Sequence, residues 1–269
     1  MIRRAVGLPN LNDYAEPGRL VALAQVAERA GWDGCFIWDH LVYRDPPTPA
    51  ADPQVTLGAI AVTTNRIRIG ALLTPLARRR PTKVARETAS LDILSNGRLI
   101  FGAALGWSGT EEFEDLGEPG DSRIRADKLD EALLVLKALW TGETVTHEGE
   151  HYTVRDTQFI PRRDIPIWIG GVWPAKRPFR RAARFDGVFP LLKGQADTET
   201  MTPEQLATIV AYTRSHGHPR DVIIEGNSDG DRAPLADYTD LTWYIEKLGW
   251  WRGTPEEVER TIRRGPPSS

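Results

Sequence analysis

The amino-acid sequence predicts a (β/α)8 barrel, an α/β fold in which eight parallel strands alternate with helices. Three observations support this fold class. Short β-type runs alternate with amphipathic helical stretches along nearly the whole chain. The length of 269 residues suits one such barrel, which typically uses about 250 residues. No linker or break in composition divides the chain, so we expect a single domain over residues 1–269.

Eight β-type runs predict the strands, and one further segment predicts an inserted hairpin. Residues Thr144–Val154 alternate in polarity and turn at Glu148-Gly149-Glu150, which places a small hairpin before the fifth strand. In chain order, the eight predicted strands are Ala5–Pro9, Gly34–Trp38, Ile67–Leu73, Arg98–Leu105, Ile165–Ile169, Gly187–Leu191, Val222–Glu225 and Leu241–Ile245.

The helices are predicted from their ends and from their apolar spacing. Three starts place a capping oxygen before a proline at the first helical position: Asp52-Pro53, Thr202-Pro203 and Thr254-Pro255. The second and third also have the spacing of a capping box, with Gln205 and Glu257 as the third residues. Two further helices have apolar residues at helical spacing and stop before a glycine: Leu20, Leu23, Ala27 and Ala30 before Gly31, and Leu129, Leu133, Leu136 and Trp140 before Gly142.

Charge and cysteine content narrow the classes of partner. The 34 basic and 37 acidic residues give a net charge of -3, without a long block of one sign. We therefore expect no nucleic-acid and no membrane partner. The single cysteine, Cys35, lies in an apolar run and favours a buried reduced thiol. No signal-like segment and no long apolar stretch occurs, so we expect a cytoplasmic protein that acts on a small molecule.

Residues at the carboxyl ends of the strands are the first functional candidates, because barrel active sites lie at that face. Four tryptophans fall at or just after predicted strand ends: Trp38, Trp107, Trp173 and Trp243. Together they are suited to form walls for a flat aromatic ligand. Tryptophans that plug the barrel mouth without a ligand are the alternative interpretation.

Three further features have a functional and a structural interpretation. Asp39-His40 follows the second strand, where a carboxylate can orient a proton donor or simply close a loop. Gly170-Gly171 follows the fifth strand, where backbone amides can approach an anion or form a tight turn. Lys193 follows the sixth strand and either meets a phosphate or carboxylate or remains a solvated loop lysine.

Other motifs argue against metal and classical dinucleotide sites. His216-Gly217-His218 has metal-hydrolase spacing, but it precedes the seventh strand and so lies on the opposite rim from the expected site. We expect no metal site. Gly102, Gly106 and Gly109 lack the spacing of a Rossmann fingerprint.

Several ordered motifs resemble the luciferase-like flavin monooxygenase and reductase superfamily. The resemblance extends from about the first strand to the last helix, and its specificity comes from the number and order of the motifs. They include Gly7-Leu8-Pro9-Asn10, Ala30-Gly31-Trp32-Asp33-Gly34, Trp38-Asp39-His40, Asn65-Arg66-Ile67-Arg68-Ile69-Gly70, Thr74-Pro75-Leu76-Ala77-Arg78-Arg79-Arg80-Pro81, Leu94-Ser95-Asn96-Gly97-Arg98-Leu99, Gly102-Ala103-Ala104-Leu105-Gly106-Trp107 and Pro166-Ile167-Trp168-Ile169-Gly170-Gly171.

The resemblance implies an oxidoreductase that binds FMN or its deazaflavin relative, coenzyme F-420, without a covalent bond. Hydride transfer between the cofactor ring and a small organic substrate is the implied reaction, with His40 and Asp39 as the catalytic residues. The Asp39-His40 pair favours coenzyme F-420. The alternative with FMN is a monooxygenase that uses reduced flavin and O2. A homodimer and a separate cofactor reductase are further implications of the family.

The resemblance also implies which residues contact the ligands. Relatives often have a non-prolyl cis peptide at the position of Ala71-Leu72, which presses a bulge against the ring. The implied cofactor-binding residues are Ala71, Leu72, Gly106, Trp107, Gly170, Gly171, Val172, Trp173 and Lys193, and the implied substrate-pocket residues are Asn10, Trp38 and Trp243.

Two hypotheses from other classes stay open at this point. A Schiff-base lyase would use Lys193 as its nucleophile, once burial lowers the pKa of the amine. A barrel that stores a cofactor without turnover is the noncatalytic hypothesis. The chain is short for the family, and Glu111-Glu112 stand where some relatives have other polar residues, so the sequence leaves the substrate open.

Overall fold

The strands of the computed structural model form a parallel β-barrel. The structure describes residues 2–43, 48–107, 111–194, 199–228 and 235–267. Within these residues, one sheet holds nine strand segments, which pair only in parallel, and a separate hairpin holds two. The sheet contains β1 Arg3–Leu8, β2 Gly34–Ile37, β3 Arg68–Ala71, β4 Thr74–Pro75, β5 Phe101–Ala104, β8 Ile167–Trp173, β9 Gly187–Leu192, β10 Asp221–Gly226 and β11 Trp243–Lys247, and the hairpin is β6 Thr144–Glu148 with β7 Thr153–Gln158.

The nine segments correspond to the eight predicted barrel strands, because β3 and β4 are two halves of the third one. The sheet order is β3-β2-β1-β11-β10-β9-β8-β5-β4. Since β3 continues into β4, the two ends of this order meet, and a bridge between Ile69 and Leu99 joins them. The prediction of a (β/α)8 barrel with a hairpin before the fifth strand is therefore confirmed.

Helices cover the outside of the barrel, and the predicted caps form. Asp52 accepts a hydrogen bond from the N–H of Val55, and both capping boxes, at Thr202 and Thr254, are complete. No described helix is both long and apolar enough to cross a membrane. The helices are α1 Pro17–Arg29, α2 Pro53–Thr63, α3 Pro81–Leu94, α4 Ser122–Trp140, α5 Arg177–Ala182, α6 Pro203–Arg214 and α7 Pro255–Arg263.

Two apolar layers hold the fold together. The outer layer packs the strands against the helices and includes the predicted stripes of α1 and α4. The inner layer fills the barrel around Phe36, Trp168 and Trp243, whose ring centroids lie 5.2 to 5.9 Å apart. Such edge and tilted contacts suit the charge distribution of aromatic rings. The lower barrel is thus closed by a packed core, and only its carboxyl end can be open.

Trp243 differs from the prediction. It was expected at the mouth of the barrel as a substrate-pocket residue, because the eighth strand was predicted at Leu241–Ile245. The strand instead runs over Trp243–Lys247, so Trp243 is its first residue and lies fully buried at the amino end. A shift of two residues keeps the side chain on the inner face of the strand but moves it from the mouth to the floor of the barrel.

Candidate active site

The mouth of the barrel has one apolar side and one polar, aromatic side. Side chains two apart on a strand share a face, so the inner-layer residues identify which later residues face inward. Trp38 follows Phe36 by two positions, Glu225 follows Ile223, and Lys247 follows Ile245. On the apolar side, the corresponding inward positions are Leu73, Val172 and Leu191, of which Val172 is 44% exposed.

The break between β3 and β4 shapes the apolar side. The peptide bond between Leu72 and Leu73 is cis, one residue beyond the predicted Ala71-Leu72 bond. A Cβ atom at Gly170 would lie 2.0 Å from the Leu73 side chain, and one at Gly102 would lie 2.5 Å from that of Leu72. Both glycines therefore make room for the two leucines of the break. Ala71 is the last residue of β3 and is buried.

His40 contacts Glu112, which the sequence analysis did not place in the site. His40 Nδ1 lies 3.3 Å from Glu112 Oε1, and the two side chains are 17% and 3% exposed. Glu112 Oε1 also accepts a hydrogen bond from the Leu41 N–H at 2.6 Å. His40 Nδ1 and Glu112 Oε2 have no hydrogen-bond partner among the described residues. The pair therefore offers a buried place for one proton.

Glu112 is held as a carboxylate by its neighbours. Burial alone raises its pKa, but His40, Arg78 and the Leu41 N–H together lower that pKa below its ordinary value. Arg78 Nη2 lies 3.7 Å from Glu112 Oε1. An ionised carboxylate in contact with an imidazole is an arrangement in which the imidazole can act as a general base.

The Asp39 carboxylate contacts two arginines instead of its predicted partner, the His40 ring. This carboxylate is fully buried and accepts hydrogen bonds from Arg79 Nη2 at 2.7 and 2.9 Å and from Arg78 Nη2 at 3.2 Å. Arg78 also donates to the Asp39 backbone carbonyl at 2.8 Å. The carboxylate that meets the imidazole is thus that of Glu112, and Asp39 anchors the two arginines beneath it. The correction arises because adjacent residues on an extended chain point in opposite directions.

Asn10 also supports His40 instead of lining the substrate pocket as predicted. Its side chain is fully buried, donates to the His40 carbonyl at 2.8 Å and accepts from the His40 N–H at 3.2 Å. A further bond runs from Asn10 to the Ala51 carbonyl at 2.7 Å. Asn10 therefore fixes the backbone of His40 relative to the first strand, and its amide has no surface left for a substrate.

Aromatic rings form the wall beside His40. The Trp38 ring stacks on Trp251 at 5.3 Å between centroids with an interplanar angle of 12°, and Trp250 meets both rings edge-on. Tyr43 lies between His40 and Trp250. The predicted aromatic wall therefore exists, but Trp38 is the only one of the four predicted tryptophans in it.

A charged pair completes this side of the mouth. Lys247 Nζ lies 3.1 Å from Glu225 Oε1, with side chains 11% and 18% exposed. The same ammonium lies 5.9 Å from the Trp38 ring centroid and 5.8 Å from that of Trp251. These contacts place Lys247 and Glu225 in the mouth of the barrel, next to the aromatic wall.

A buried network fixes the loop that carries this aromatic wall. Glu246 is fully buried and accepts hydrogen bonds from the Ser228 N–H at 3.1 Å and from Arg252 Nη1 at 3.1 Å. Arg252 also donates to the Asn227 side chain at 2.7 Å. Burial raises the pKa of Glu246 despite these partners. The segment Trp250–Arg252, a short 3-10 helix, is thereby tied to the end of β10.

The predicted phosphate segment lies within a strand, not after one. β8 was predicted to end at Ile169, yet it continues through Gly170 and Gly171 to Trp173 and pairs with β9 along this length. Pairing with β5 ends at Ile169. The edge of residues 170–173 that faces β5 is therefore not used by the described sheet, and its backbone groups can meet a ligand.

Trp173 and Lys193 lie at the rim. Trp173 packs outward on Phe179 and Tyr212, with the Lys176 ammonium 3.3 Å from its ring centroid, so its ring does not face the mouth. Lys193 is exposed, and its N–H donates to the Trp173 carbonyl at 3.2 Å. An exposed amine lacks the burial that the Schiff-base hypothesis requires.

Gly106 and Trp107 follow β5 at the same end of the barrel. Gly106 has a φ of 90° and touches Phe113 and Pro75, where a Cβ would lie 2.6 and 2.9 Å from their atoms, so only glycine fits this turn. Trp107 is 53% exposed, and its carbonyl accepts a hydrogen bond from Arg125 at 2.9 Å. Trp107 is therefore free to cover a ligand but does not belong to the wall at Trp38.

Several site residues were missed by the sequence analysis. Arg78 and Arg79 stood inside a quoted motif, and Glu112 was noted only as a departure. The signal that could have identified Glu112 was its position shortly after the fourth barrel strand. Residues at this end of a barrel strand often belong to the active site. No local pattern identifies Lys247, because the eighth predicted strand ended at Ile245, two residues before it. Glu225 ends the seventh predicted strand, but the sequence does not show which of its faces points inward.

The comparisons with known proteins identify the family. The family model of luciferase-like monooxygenases matches residues 5–224. An F-420-dependent glucose-6-phosphate dehydrogenase of Beutenbergia cavernae is 35% identical over 194 residues, which cover 70% of this chain and 57% of that protein. An F-420-dependent hydroxymycolic acid dehydrogenase of Mycobacterium tuberculosis is 31% identical over 64% of this chain and 48% of that protein. The chain spans less than two thirds of the length of these relatives.

Solved structures agree with the fold. Monooxygenase RslO1 of Streptomyces bottropensis superposes with a TM-score of 0.76 at 19% identity and covers 97% of both chains. An F-420-dependent secondary alcohol dehydrogenase superposes with a TM-score of 0.70 at 19% identity, over 99% of this chain and 85% of that chain. The family model covers most of the barrel, and the chain therefore belongs to the luciferase-like monooxygenase family.

Proposed function

We propose that this protein is an oxidoreductase that uses coenzyme F-420 and transfers a hydride between that cofactor and a small organic substrate. The observation that carries the proposal is the His40–Glu112 pair, a proton acceptor beside the open mouth of a luciferase-like barrel. Relatives that are 35% and 31% identical are named as F-420-dependent dehydrogenases, which favours this cofactor over FMN.

The residues at the mouth fit a flat ring with a phosphate-bearing tail. Leu73, Val172 and Leu191 offer an apolar surface that is partly exposed. The backbone edge of residues 170–173 and the exposed Lys193 offer donors for the phosphate. When bound, coenzyme F-420 accepts or donates a hydride but does not activate oxygen.

The protein supplies the proton acceptor in this proposal. Oxidation of an alcohol releases a hydride from carbon and a proton from oxygen. His40 takes the proton, the Glu112 carboxylate stabilises the resulting imidazolium, and Asp39 holds Arg78 so that it supports Glu112. Asn10 keeps the His40 backbone in place during the exchange.

A paired titration tests the choice of cofactor. The purified protein is titrated with coenzyme F-420 and with FMN, and the quenching of cofactor fluorescence is followed. We expect saturable binding of coenzyme F-420 and weaker binding of FMN. Tight binding of FMN alone would overturn the choice and indicate a monooxygenase, and binding of neither would overturn the proposed function.

A homodimer is part of the proposal, and helix α2 supports it. This helix carries no charged residue, and its outer side exposes Val55 and Val62 by 68% and 63%. A helix that is apolar on every side is normally covered by another protein surface. We expect the Val55→Asp/Val62→Asp variant to elute as a monomer and the wild type as a dimer in size-exclusion chromatography with light scattering. A wild-type monomer would contradict this part of the proposal.

The redox environment and the electron partner complete the proposal. The Cys35 thiol is fully buried, and burial raises its pKa to about 12, so it stays reduced and inert. This state fits the cytoplasm, where we place the protein. A separate reductase keeps the cofactor pool in the redox state that turnover needs.

A further inference from the structure

The inner face of the barrel is apolar except near its two ends. The inner layer consists of Phe36, Trp168, Trp243 and smaller apolar side chains. At the mouth, the pattern changes on β10 and β11, where Glu225 and Lys247 continue the inward-facing rows. A charged pair thus stands where the layers below it are apolar.

The fold does not need a charged pair at this position. Enclosing two charges costs desolvation free energy, and an apolar pair of similar size is often as stable or more stable. Lys247 and Glu225 are only 11% and 18% exposed, so they bear much of this cost. Charged groups that are retained at such a cost in a cleft are candidates for ligand recognition.

The Glu225–Lys247 pair lies beyond the segment that the family model matches. The family model matches residues 5–224, and both Glu225 and Lys247 lie beyond this range, as do Trp250 and Trp251. The His40–Glu112 pair lies within it. The matched segment therefore includes the His40–Glu112 pair and ends before the Glu225–Lys247 pair.

The contacts of Lys247 define the chemistry of its ligand. Its ammonium forms an ion pair with the Glu225 carboxylate, which balances its charge. An added anion would meet the Glu225 carboxylate as a like charge within a few ångströms, whereas a hydroxyl can accept from the ammonium and donate to the carboxylate. The faces of Trp38 and Trp251 beside the pair suit the C–H groups of a polyol.

We propose that Lys247 and Glu225 bind a hydroxyl group of an uncharged polyol substrate and select against anionic substrates. This assignment rests on the proposed function, since it names the substrate class of the same site. Lys247 and Glu225 are specificity residues here, and they take no part in the exchange of the proton at His40.

Matched ligands test the assignment directly. Sorbitol and gluconate are linear polyols of the same length that differ in one terminal group, a hydroxymethyl in the first and a carboxylate in the second. Their binding is followed by the change in tryptophan fluorescence, since Trp38 and Trp251 adjoin Lys247. We expect the wild type to bind sorbitol at least about tenfold more tightly than gluconate, because like charges in a low-dielectric site repel strongly.

Substitutions then assign the preference to the pair. In Glu225→Gln the repulsion is gone, and we expect the ratio of the two dissociation constants to shift toward gluconate by about tenfold or more. Glu148→Gln on the hairpin is the matched control, because Glu148 forms an exposed pair with Arg155 and its substitution changes the net charge equally. The control should leave the ratio unchanged.

A double apolar variant separates recognition from folding. We expect Lys247→Met/Glu225→Leu to keep or raise the unfolding temperature and to lose sorbitol binding. If this variant still binds sorbitol as the wild type does, the pair is not the recognition site. Preference of the wild type for gluconate, an unchanged ratio in Glu225→Gln, or no binding of either polyol would each overturn the assignment.

The polyol titrations are run on the protein with and without coenzyme F-420. Failure of the cofactor to bind would overturn the proposed function, while the response of the cofactor-free protein to sorbitol and gluconate would still decide the role of the pair. Tight cofactor binding without discrimination between the two polyols would overturn only the specificity assignment.

Discussion

Two walls of the barrel mouth differ in how the protein shifts the pKa of a buried carboxylate. The His40 wall consists of His40, Glu112, Asp39, Arg78 and Arg79, and its two carboxylates face two arginines. The Lys247 wall, on β10, β11 and the following turn, consists of Glu225, Lys247, Glu246, Arg252, Trp250 and Trp251.

The difference shows in the carboxylates. The pKa of Glu112 is lowered, because its contacts outweigh its burial, and that of Glu246 is raised, because its burial outweighs its contacts. The His40 wall is therefore built to keep a negative charge next to an imidazole. The Lys247 wall tolerates a carboxylate that holds its proton more firmly, which suits a positioning role.

The largest expected effect separates the two walls by activity. We expect Glu112→Gln and His40→Ala to lower kcat by about 10²–10⁴-fold, the usual contribution of general acid–base catalysis. Glu246→Gln should change kcat by no more than a few fold, because the Glu246 carboxylate contacts Ser228 and Arg252 and not the His40–Glu112 pair. The measurement is steady-state turnover of the cofactor-loaded enzyme. If Glu246→Gln lowered kcat as much as Glu112→Gln does, the two walls would not differ in their contribution to turnover.

The next effect concerns stability. Asp39→Asn removes the carboxylate that Arg78 and Arg79 share, and breaking a buried pair in this way costs about 3–5 kcal/mol. Arg252→Gln should cost less, because Glu246 keeps the Ser228 N–H and can take up a proton. Urea unfolding followed by circular dichroism measures both. A larger loss for Arg252→Gln would reverse the roles assigned to the two networks.

The smallest expected effect is on the pH dependence of stability, which should have opposite signs for Glu112 and Glu246. The lowered pKa of Glu112 means that its contribution to stability is present above the ordinary glutamate pKa and is lost as the pH falls through the folded value. The raised pKa of Glu246 means that its contribution is present at low pH and is lost as the pH rises through the folded value.

Glutamine variants reveal this sign. The stability deficit of Glu112→Gln should stay constant from about pH 7 down to about pH 4, near the ordinary pKa of a glutamic acid, and shrink as the pH falls further. Over the same range, the stability of Glu246→Gln relative to that of the wild type should be greatest at the higher pH. Thermal unfolding across this range is the measurement, and parallel curves for the two variants would show that both carboxylates titrate alike.

Much of the barrel could be predicted because its signals are local. The capping boxes at Thr202 and Thr254 need only four consecutive residues, and the alternation of strands and helices needs only their own periodicity. The ends of the strands are not encoded locally, since pairing with neighbouring strands decides where a strand stops. That is why Trp243 was expected at the mouth and lies on the barrel floor.

Within the site, the sequence identified single positions but not their partners. It selected His40 and Trp38, and the tertiary structure supplied Glu112 and Trp251, which are 72 and 213 residues further along the chain. The tertiary structure also shows that Asp39 and Asn10 support the site, because the surrounding elements determine their burial and hydrogen bonding.

The sequence by itself determined the fold class, the family and the end of the barrel that carries the site, because each depends on short ordered motifs and on the period of the apolar residues. The tertiary structure alone decided which carboxylate meets the imidazole and which charged pair faces the mouth. Barrel closure brings β1, β2, β10 and β11 side by side, and the charge environment that this creates exists only after folding.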